Sequence, residues 1–313
     1  MPVYDVHTHF VPPEMLDWLR QNARAVRAVW EERGPGKTPV LTVNHKWSFE
    51  FKAEFYEAQR YLQAQTEAGV SRALVSPIPQ LFLYDFALAV TAEAATVYNR
   101  ALAAWVSQQA NRLSGLGTVP LQDGEAAARG LEEAMELGLT GVIIGPGTGQ
   151  TLLGDAVYEP FWQVADARQA VVFIHPLLND DPRLQRNRMP NLIGVPWETT
   201  IAGLDLILSG VLDRYPNVRI LLAHGGGFLP YQVGRYNQGY AAWPAVRNTL
   251  RTAPEAYLKR FYYDNVLWHP EARRFLTAVV GEERVASGSD YPFDLTTWPP
   301  AVGSEAAGRA LLG

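Results

Sequence analysis

Apolar residues recur along this chain in two alternating periods. Short runs rich in β-branched residues are followed by a turn, and then by segments in which Ala and Leu return at helical spacing among Glu and Arg. Runs at 3–7, 73–77, 115–119, 141–144, 171–175, 220–224, 262–266 and 285–289 predict strands. Segments near 56–68, 87–112, 124–138, 157–169, 199–214, 229–241 and 270–280 predict helices. Strand and helix in alternation give parallel βαβ units, and eight strands predict an α/β fold closed as a (β/α)8 TIM barrel. Two stretches break the rhythm. Between the first strand and the first helix, residues at about 10–55 hold Pro12-Pro13, a charged stretch and a hairpin-like segment at 40–51, which predicts a lid insertion over the barrel mouth. After the eighth strand only residues 290–313 remain, so the C-terminal end is short and the closing helix is either stunted or replaced.

Composition narrows the chemistry. With 313 residues, 48% of them hydrophobic, the chain suffices for one large domain over 1–313. The net charge of −5 is spread out, and without a basic stripe a nucleic-acid partner is not expected. There is no cysteine, which rules out disulfides and thiolate catalysis, fits a reducing cytoplasm, and leaves metal binding to His and carboxylates. No apolar run approaches about 18 residues and no export signal opens the sequence, so a soluble, cytoplasmic protein with no membrane partner is expected.

The residues able to do chemistry fall where the predicted strands stop. In His7-Thr8-His9 the two imidazoles share a face, because side chains alternate across a strand. His175 ends the fifth run, His224 the sixth, and Asp290 follows the eighth. Barrel active sites are built at these strand ends. Four of the six histidines plus an acid at one rim predict a shared ligand, since imidazoles buried together without one are costly. His7, His9, His175 and Asp290 are the expected ligands of one divalent metal. Zn²⁺ suits this set best, with Mn²⁺ or Fe²⁺ accepted by the same donors. Such a set leaves a coordination position open for a water or a substrate oxygen. A second ion would need a bridging Lys or acid at the fourth strand, where the chain reads Gly141-Val142-Ile143-Ile144-Gly145-Pro146-Gly147. His224 precedes Gly225-Gly226-Gly227, which leaves its ring unobstructed, and it is assigned with Asp290 to the catalytic group as acid/base. A fifth ligand or a structural hydrogen bond are its other readings. The Gly145–Gly149 loop lacks a following Lys-Ser/Thr and reads as a tight βα turn rather than a phosphate cradle.

These motifs, with His175-Pro176 and Ser289-Asp290-Tyr291-Pro292-Phe293, resemble the aminocarboxymuconate-semialdehyde decarboxylase-like (amidohydrolase 2) branch of the amidohydrolase superfamily. The resemblance extends through Ile193-Gly194-Val195-Pro196-Trp197-Glu198-Thr199-Thr200-Ile201, Val233-Gly234-Arg235 and Phe261-Tyr262-Tyr263-Asp264. It implies a single divalent metal on His7, His9, His175 and Asp290, proton transfer by His224, non-oxidative loss of CO₂ and a homodimer. It also implies that Arg235 holds a carboxylate, a helix salt bridge being the alternative. In that branch two arginines grip the substrate carboxylate, one on the lid hairpin and one from the other subunit. Thr42 and Trp243 stand in those places here, and Asn191 stands where the branch has a tryptophan. Neither a hydroxyl nor an indole can pair bidentately with a carboxylate.

Aromatic residues gather in the segments expected at the mouth: Trp47, Phe49, Phe82, Trp197, Trp243, Phe293 and Trp298. Trp47, Trp197, Trp243 and Phe293, with Arg235, are the expected contacts of a small-molecule substrate. Two activities fit: a lyase that decarboxylates an aromatic or unsaturated acid, and a hydrolase that attacks an ester, amide, lactone or other activated carbonyl with the same ligands. A non-catalytic metal-binding scaffold fits less well beside an intact acid/base.

Overall fold

In the computed structural model, which describes residues 2–312, the eight predicted runs form one parallel sheet in sequence order. The strands are β1 (Val3–His9), β2 (Val70–Ser76), β3 (Leu113–Gly117), β4 (Gly141–Ile144), β5 (Val171–Ile174), β6 (Arg219–Leu222), β7 (Tyr262–Asp264) and β8 (Val285–Ala286). The sheet meets itself through bridges from Asp5 to Ser287 and from Thr8 to Tyr291, where the Val6 N–H donates to the Ser287 carbonyl at 2.9 Å and the His9 N–H to that of Tyr291 at 2.8 Å. Helices surround this barrel, as expected of βαβ units.

Side-chain parity along the strands sorts the core. Val172, Ile174, Ile220 and Leu222 pack with the helices, while Val171, Phe173, Leu221 and Ala223 fill the barrel interior with Val6, Leu74, Leu116 and Ile143. The predicted strand ends need correcting at several places. The sixth and seventh runs stop before 224 and 266 because the Asp264 carboxylate takes the N–H groups of His224, Gly225 and Val266, which are lost to the ladder. The third strand stops before 118, where the Thr118 N–H bonds the side chain of Asn99, and starts earlier than 115, where Leu113 and Ser114 pair with Ala73 and Leu74. The expected turn at 145–149 is instead a small hairpin of Gly147–Thr148 with Thr151–Leu152.

The insertion at 10–55 contains the helix Pro13–Gln21 and a three-stranded antiparallel sheet, Val29–Glu31, Val40–Val43 and Trp47–Glu50. Two lysines that flank its last strand reach loops at the C-terminal end of the barrel. Lys46 pairs with Asp180 at 2.6 Å and Asp85 at 3.2 Å, and Lys52 pairs with Asp294 at 2.9 Å.

The short C-terminus resolves differently from a stunted outer helix. Helix Glu305–Leu312 lays Ala307, Leu311 and Leu312 against the interior cluster of the barrel. Its last carbonyls, which have no partner within the helix, accept from Ser114 Oγ at 2.7 Å and from Arg219 at 2.6 Å. Gly308 is required there, since a Cβ would lie 2.5 Å from the Cβ of Tyr4. The N-terminal end of the barrel is therefore plugged, and the opposite end holds the polar residues. No helix among the described residues is long and apolar enough to cross a membrane.

Candidate metal centre

Five expected residues, His7, His9, His175, His224 and Asp290, converge inside the C-terminal end of the barrel. His7, His9 and His175 have ring centroids 5.0–5.3 Å apart. Backbone devices put them there. A bulge between Asp5 and Thr8 of β1 lets Val6 stay in the interior while His7 and His9 also face it. His175 needs none, since it continues the inward parity of Val171 and Phe173. His224 would point the wrong way by parity with Ala223. It turns in because its φ is +53°, in the left-handed region, followed by Gly225 to Gly227, all at positive φ. Substitution of Gly227 is blocked, as a Cβ would meet the Pro196 carbonyl at 2.1 Å. Asp290 is likewise left-handed, at φ +62°.

Hydrogen bonding fixes the ring tautomers. Nδ1 of His7 lies 2.8 Å from Asp264, Nδ1 of His9 2.9 Å from the Pro77 carbonyl, and Nδ1 of His175 2.9 Å from the Pro176 carbonyl. A carbonyl can only accept, so the proton of His9 and of His175 sits on Nδ1 and the Nε2 lone pair is free. The Nε2 atoms of all three rings and Asp290 Oδ1 are buried without a hydrogen-bond partner. Asp290 Oδ1 stands 3.3 Å from His7 Nε2 and 3.2 Å from His9 Nε2. Donor atoms of His7, His175, His224 and Asp290 also lie within 4.8 Å of one another, so distance alone groups His224 with the ligands in place of His9. The two sets differ at one place: His9 Nε2, buried without a hydrogen bond, stands against Asp290 Oδ1, while His224 Nε2 faces Asp290 Oδ2 at 3.5 Å.

Electrostatics suits a cation at this point. Burial opposes a charge on His7, yet Asp290 and Asp264 beside it push its pKa up to about 10. Burial likewise works to raise Asp290, but His7, His224 and His9 hold it well below the usual carboxylate range. Burial lowers His9 and takes His175 well below the ordinary imidazole value. Two ionised carboxylates flank one protonated imidazole, His7, beside the neutral His9 and His175, so the buried pocket stays net negative, and a divalent ion displacing the His7 proton would balance it.

Two residues that sequence reasoning passed over complete the centre. Asp264, fully buried, orients His7 and pins the His224 turn; the sequence offered it only as the last residue of the motif Phe261-Tyr262-Tyr263-Asp264, with no role attached. Asp5 lies beneath, accepting from Ser289 Oγ at 2.5 Å, with its pKa raised by burial to about 7.

The expected substrate contacts divide. Phe293 belongs to the site, 5.2 Å from the His9 ring and packed on Phe49 and Phe55 at 5.3 and 4.9 Å. Phe82 is buried against the interior cluster, stacked with Tyr84. Trp298 stacks on Tyr291 at 4.0 Å. Trp197 carries the Arg183 guanidinium over its ring at 5.6 Å. Trp243, 61% exposed, covers Gly239 on its own helix, Val233–Ala242. The side chain of Trp47 lies outside the described residues. Arg235 is exposed and makes no ion pair among the described residues, so the salt-bridge reading of it falls away. Thr42 bonds Ser48 across the hairpin at 2.8 Å.

Barrel, strand-end histidines and a closing aspartate define a metal-dependent TIM-barrel enzyme. The chain belongs to the amidohydrolase family, whose profile matches residues 4–312. It is similar to 2-amino-3-carboxymuconate-6-semialdehyde decarboxylase of Dictyostelium discoideum, 30% identical over 93% of this chain and 82% of that protein. It is similar to gamma-resorcylate decarboxylase of Polaromonas, 31% identical over 64% of this chain and 67% of that protein. Among solved structures, 5-carboxyvanillate decarboxylase of Novosphingobium aromaticivorans, complexed with manganese and 4-hydroxy-3-methoxy-5-nitrobenzoic acid, superposes with a TM-score of 0.77 at 22% identity, over 99% of this chain and 89% of that one.

Proposed function

We propose that this chain is a metal-dependent, non-oxidative decarboxylase of an aromatic or unsaturated carboxylic acid. The observation that carries the reading is the convergence of four buried, unpartnered donors, His7 Nε2, His9 Nε2, His175 Nε2 and Asp290 Oδ1, beside His224. The decarboxylase relatives supply the reaction class. His7, His9, His175 and Asp290 hold one divalent ion. Zn²⁺ suits the donors, and the manganese of the related 5-carboxyvanillate decarboxylase supports Mn²⁺ as an alternative. When bound, the ion polarises a substrate oxygen and offsets the negative charge of the acid.

The residues of the chain do the rest. The C–C bond to the carboxylate breaks, CO₂ leaves, and the electron pair left on carbon takes a proton. His224 is the group placed to deliver it: it is 9% exposed, faces Asp290 Oδ2, and has a free Nδ1. Phe293 and its aromatic neighbours exclude water from the His9 side. Arg235, unpaired on the helix that follows the glycine turn, is available to a carboxylate. The exposed face carrying Trp243 forms the contact of a homodimer.

Release of CO₂ from a panel of hydroxybenzoic and unsaturated acids, run beside a panel of esters, amides and lactones, tests the reading. CO₂ without hydrolysis is expected. Hydrolysis of the second panel without CO₂ from the first assigns the same donors to a hydrolase.

A further inference from the structure

The loop after β7 places an aromatic surface at the mouth that the ligand set does not require. Trp268 lies in a short turn held by the Leu267 N–H to the Asn265 carbonyl at 2.9 Å and the His269 N–H to the Leu267 carbonyl at 2.6 Å. Its φ is +50°, a left-handed conformation that a bulky L-residue rarely adopts. Its indole Nε1–H donates to the Leu295 carbonyl at 2.8 Å, which fastens it to the loop that carries Asp290 and Phe293. Leu267 fills the space above Gly225, where a Cβ would come within 2.8 Å of it, so the turn of β7 and the turn of His224 fit only in this register. The result is an indole nearly parallel to the His224 ring, 18° between planes and 6.3 Å between centroids, with 51% of the residue still exposed.

We infer that Trp268 is a specificity-determining residue, its indole face forming the wall on the His224 side of the pocket and selecting planar, conjugated acids. The inference rests on the decarboxylase reading and names the feature of the substrate that the site measures. A strained backbone, an anchored N–H and a half-exposed ring combine rigidity with an open π surface. A freely chosen surface tryptophan has no reason to hold all three. Phe293, beside His9 across the centre, is the aromatic group on the other side. A flat acid lies against the indole with its reacting carbon next to His224, whereas a puckered ring of the same size loses the stacking.

The test uses metal-loaded protein, calorimetry, and two probes with the same heavy-atom skeleton, planar salicylate and puckered 2-hydroxycyclohexanecarboxylate. The wild type is expected to bind salicylate the more tightly. Trp268→Leu is expected to lose roughly 5- to 10-fold in salicylate affinity, the equivalent of a ring contact, to hold the saturated probe within about 2-fold, and to keep its metal. Trp268→Phe is expected to restore most of the salicylate affinity. Equal losses for both probes, an unchanged salicylate Kd in Trp268→Leu, or a wild type that does not discriminate overturns the inference. CO₂ release is measured separately, so a wild type that releases CO₂ without discriminating the probes refutes the role of Trp268 and leaves the decarboxylase reading standing.

Discussion

Among single residues, His224 and Asp264 carry separable duties. His224→Asn is expected to retain the metal and to lose about 10²- to 10⁴-fold in kcat, the usual worth of a positioned proton donor, measured by elemental analysis beside turnover. Loss of the metal with the fold intact makes His224 a ligand. Asp264→Asn takes the negative charge from the partner of His7 Nδ1 and replaces one acceptor oxygen with an NH2 group, and is expected to weaken metal affinity by about 10- to 100-fold, read from competition with a chelator. Asp5 gives a pH signature. Its folded pKa of about 7 stands above the unfolded value of 3.8, so its contribution to stability is full below about pH 4 and declines as pH rises towards 7. In chelator-treated protein, Asp5→Asn is therefore expected to gain in melting temperature relative to wild type at pH 8 and to gain least at pH 4; a difference that is flat with pH refutes this. The expected ligands His7, His9 and His175 were legible in the sequence because His7 and His9 share a face by alternation and His175 continues the parity of Phe173, although the bulge that turns His7 and His9 inward with Val6 left no mark in the chain. His224 was found by its neighbours and not by geometry, since parity points it outward and only the left-handed turn brings it in. Trp268 left no periodic signal at all, because a turn at positive φ has no period to read.

Strand and helix order followed from periodicity, while boundaries moved wherever a side chain took over a backbone bond, as Asp264 does at β6 and β7 and Asn99 does after β3. Position in sequence placed the insertion between β1 and β2, but its attachments depend on charges far apart in the chain: Lys46 to Asp85 and Asp180, and Lys52 to Asp294. These side chains are largely exposed, so such pairs add about 0–1 kcal/mol each. Lys46→Ala with Lys52→Ala is accordingly expected to shift global stability by no more than about 1–2 kcal/mol, to speed hydrogen exchange in Val40–Val43, and to raise KM more than it lowers kcat. The wild type is expected to lose part of the same protection in high salt. Unaltered exchange in Val40–Val43 would show that the sheet is held by apolar packing of Phe49 and Phe51 and not by the lysines.

For the molecule as a whole, the C-terminal helix that periodicity left unplaced turns out to be the floor of the barrel. Its role could not be read from the chain because Leu311 and Leu312 join an interior cluster whose members come from β1 to β6 and β8, and no local pattern records that. Leu311→Ala, at a fully buried position, is expected to cost about 2–5 kcal/mol in denaturant unfolding, with little effect on metal content. With its floor plugged, the barrel has one working end, and there the buried donors of His7, His9, His175 and Asp290 meet His224, the proposed acid/base, and the rings of Phe293 and Trp268. The most direct test of this account is a metal titration of chelator-treated protein followed by CO₂ release from the acid it turns over. Activity is expected to start near zero, to rise linearly and to saturate at about one divalent ion per chain. Saturation at two ions, or full CO₂ release with no metal bound, would contradict it.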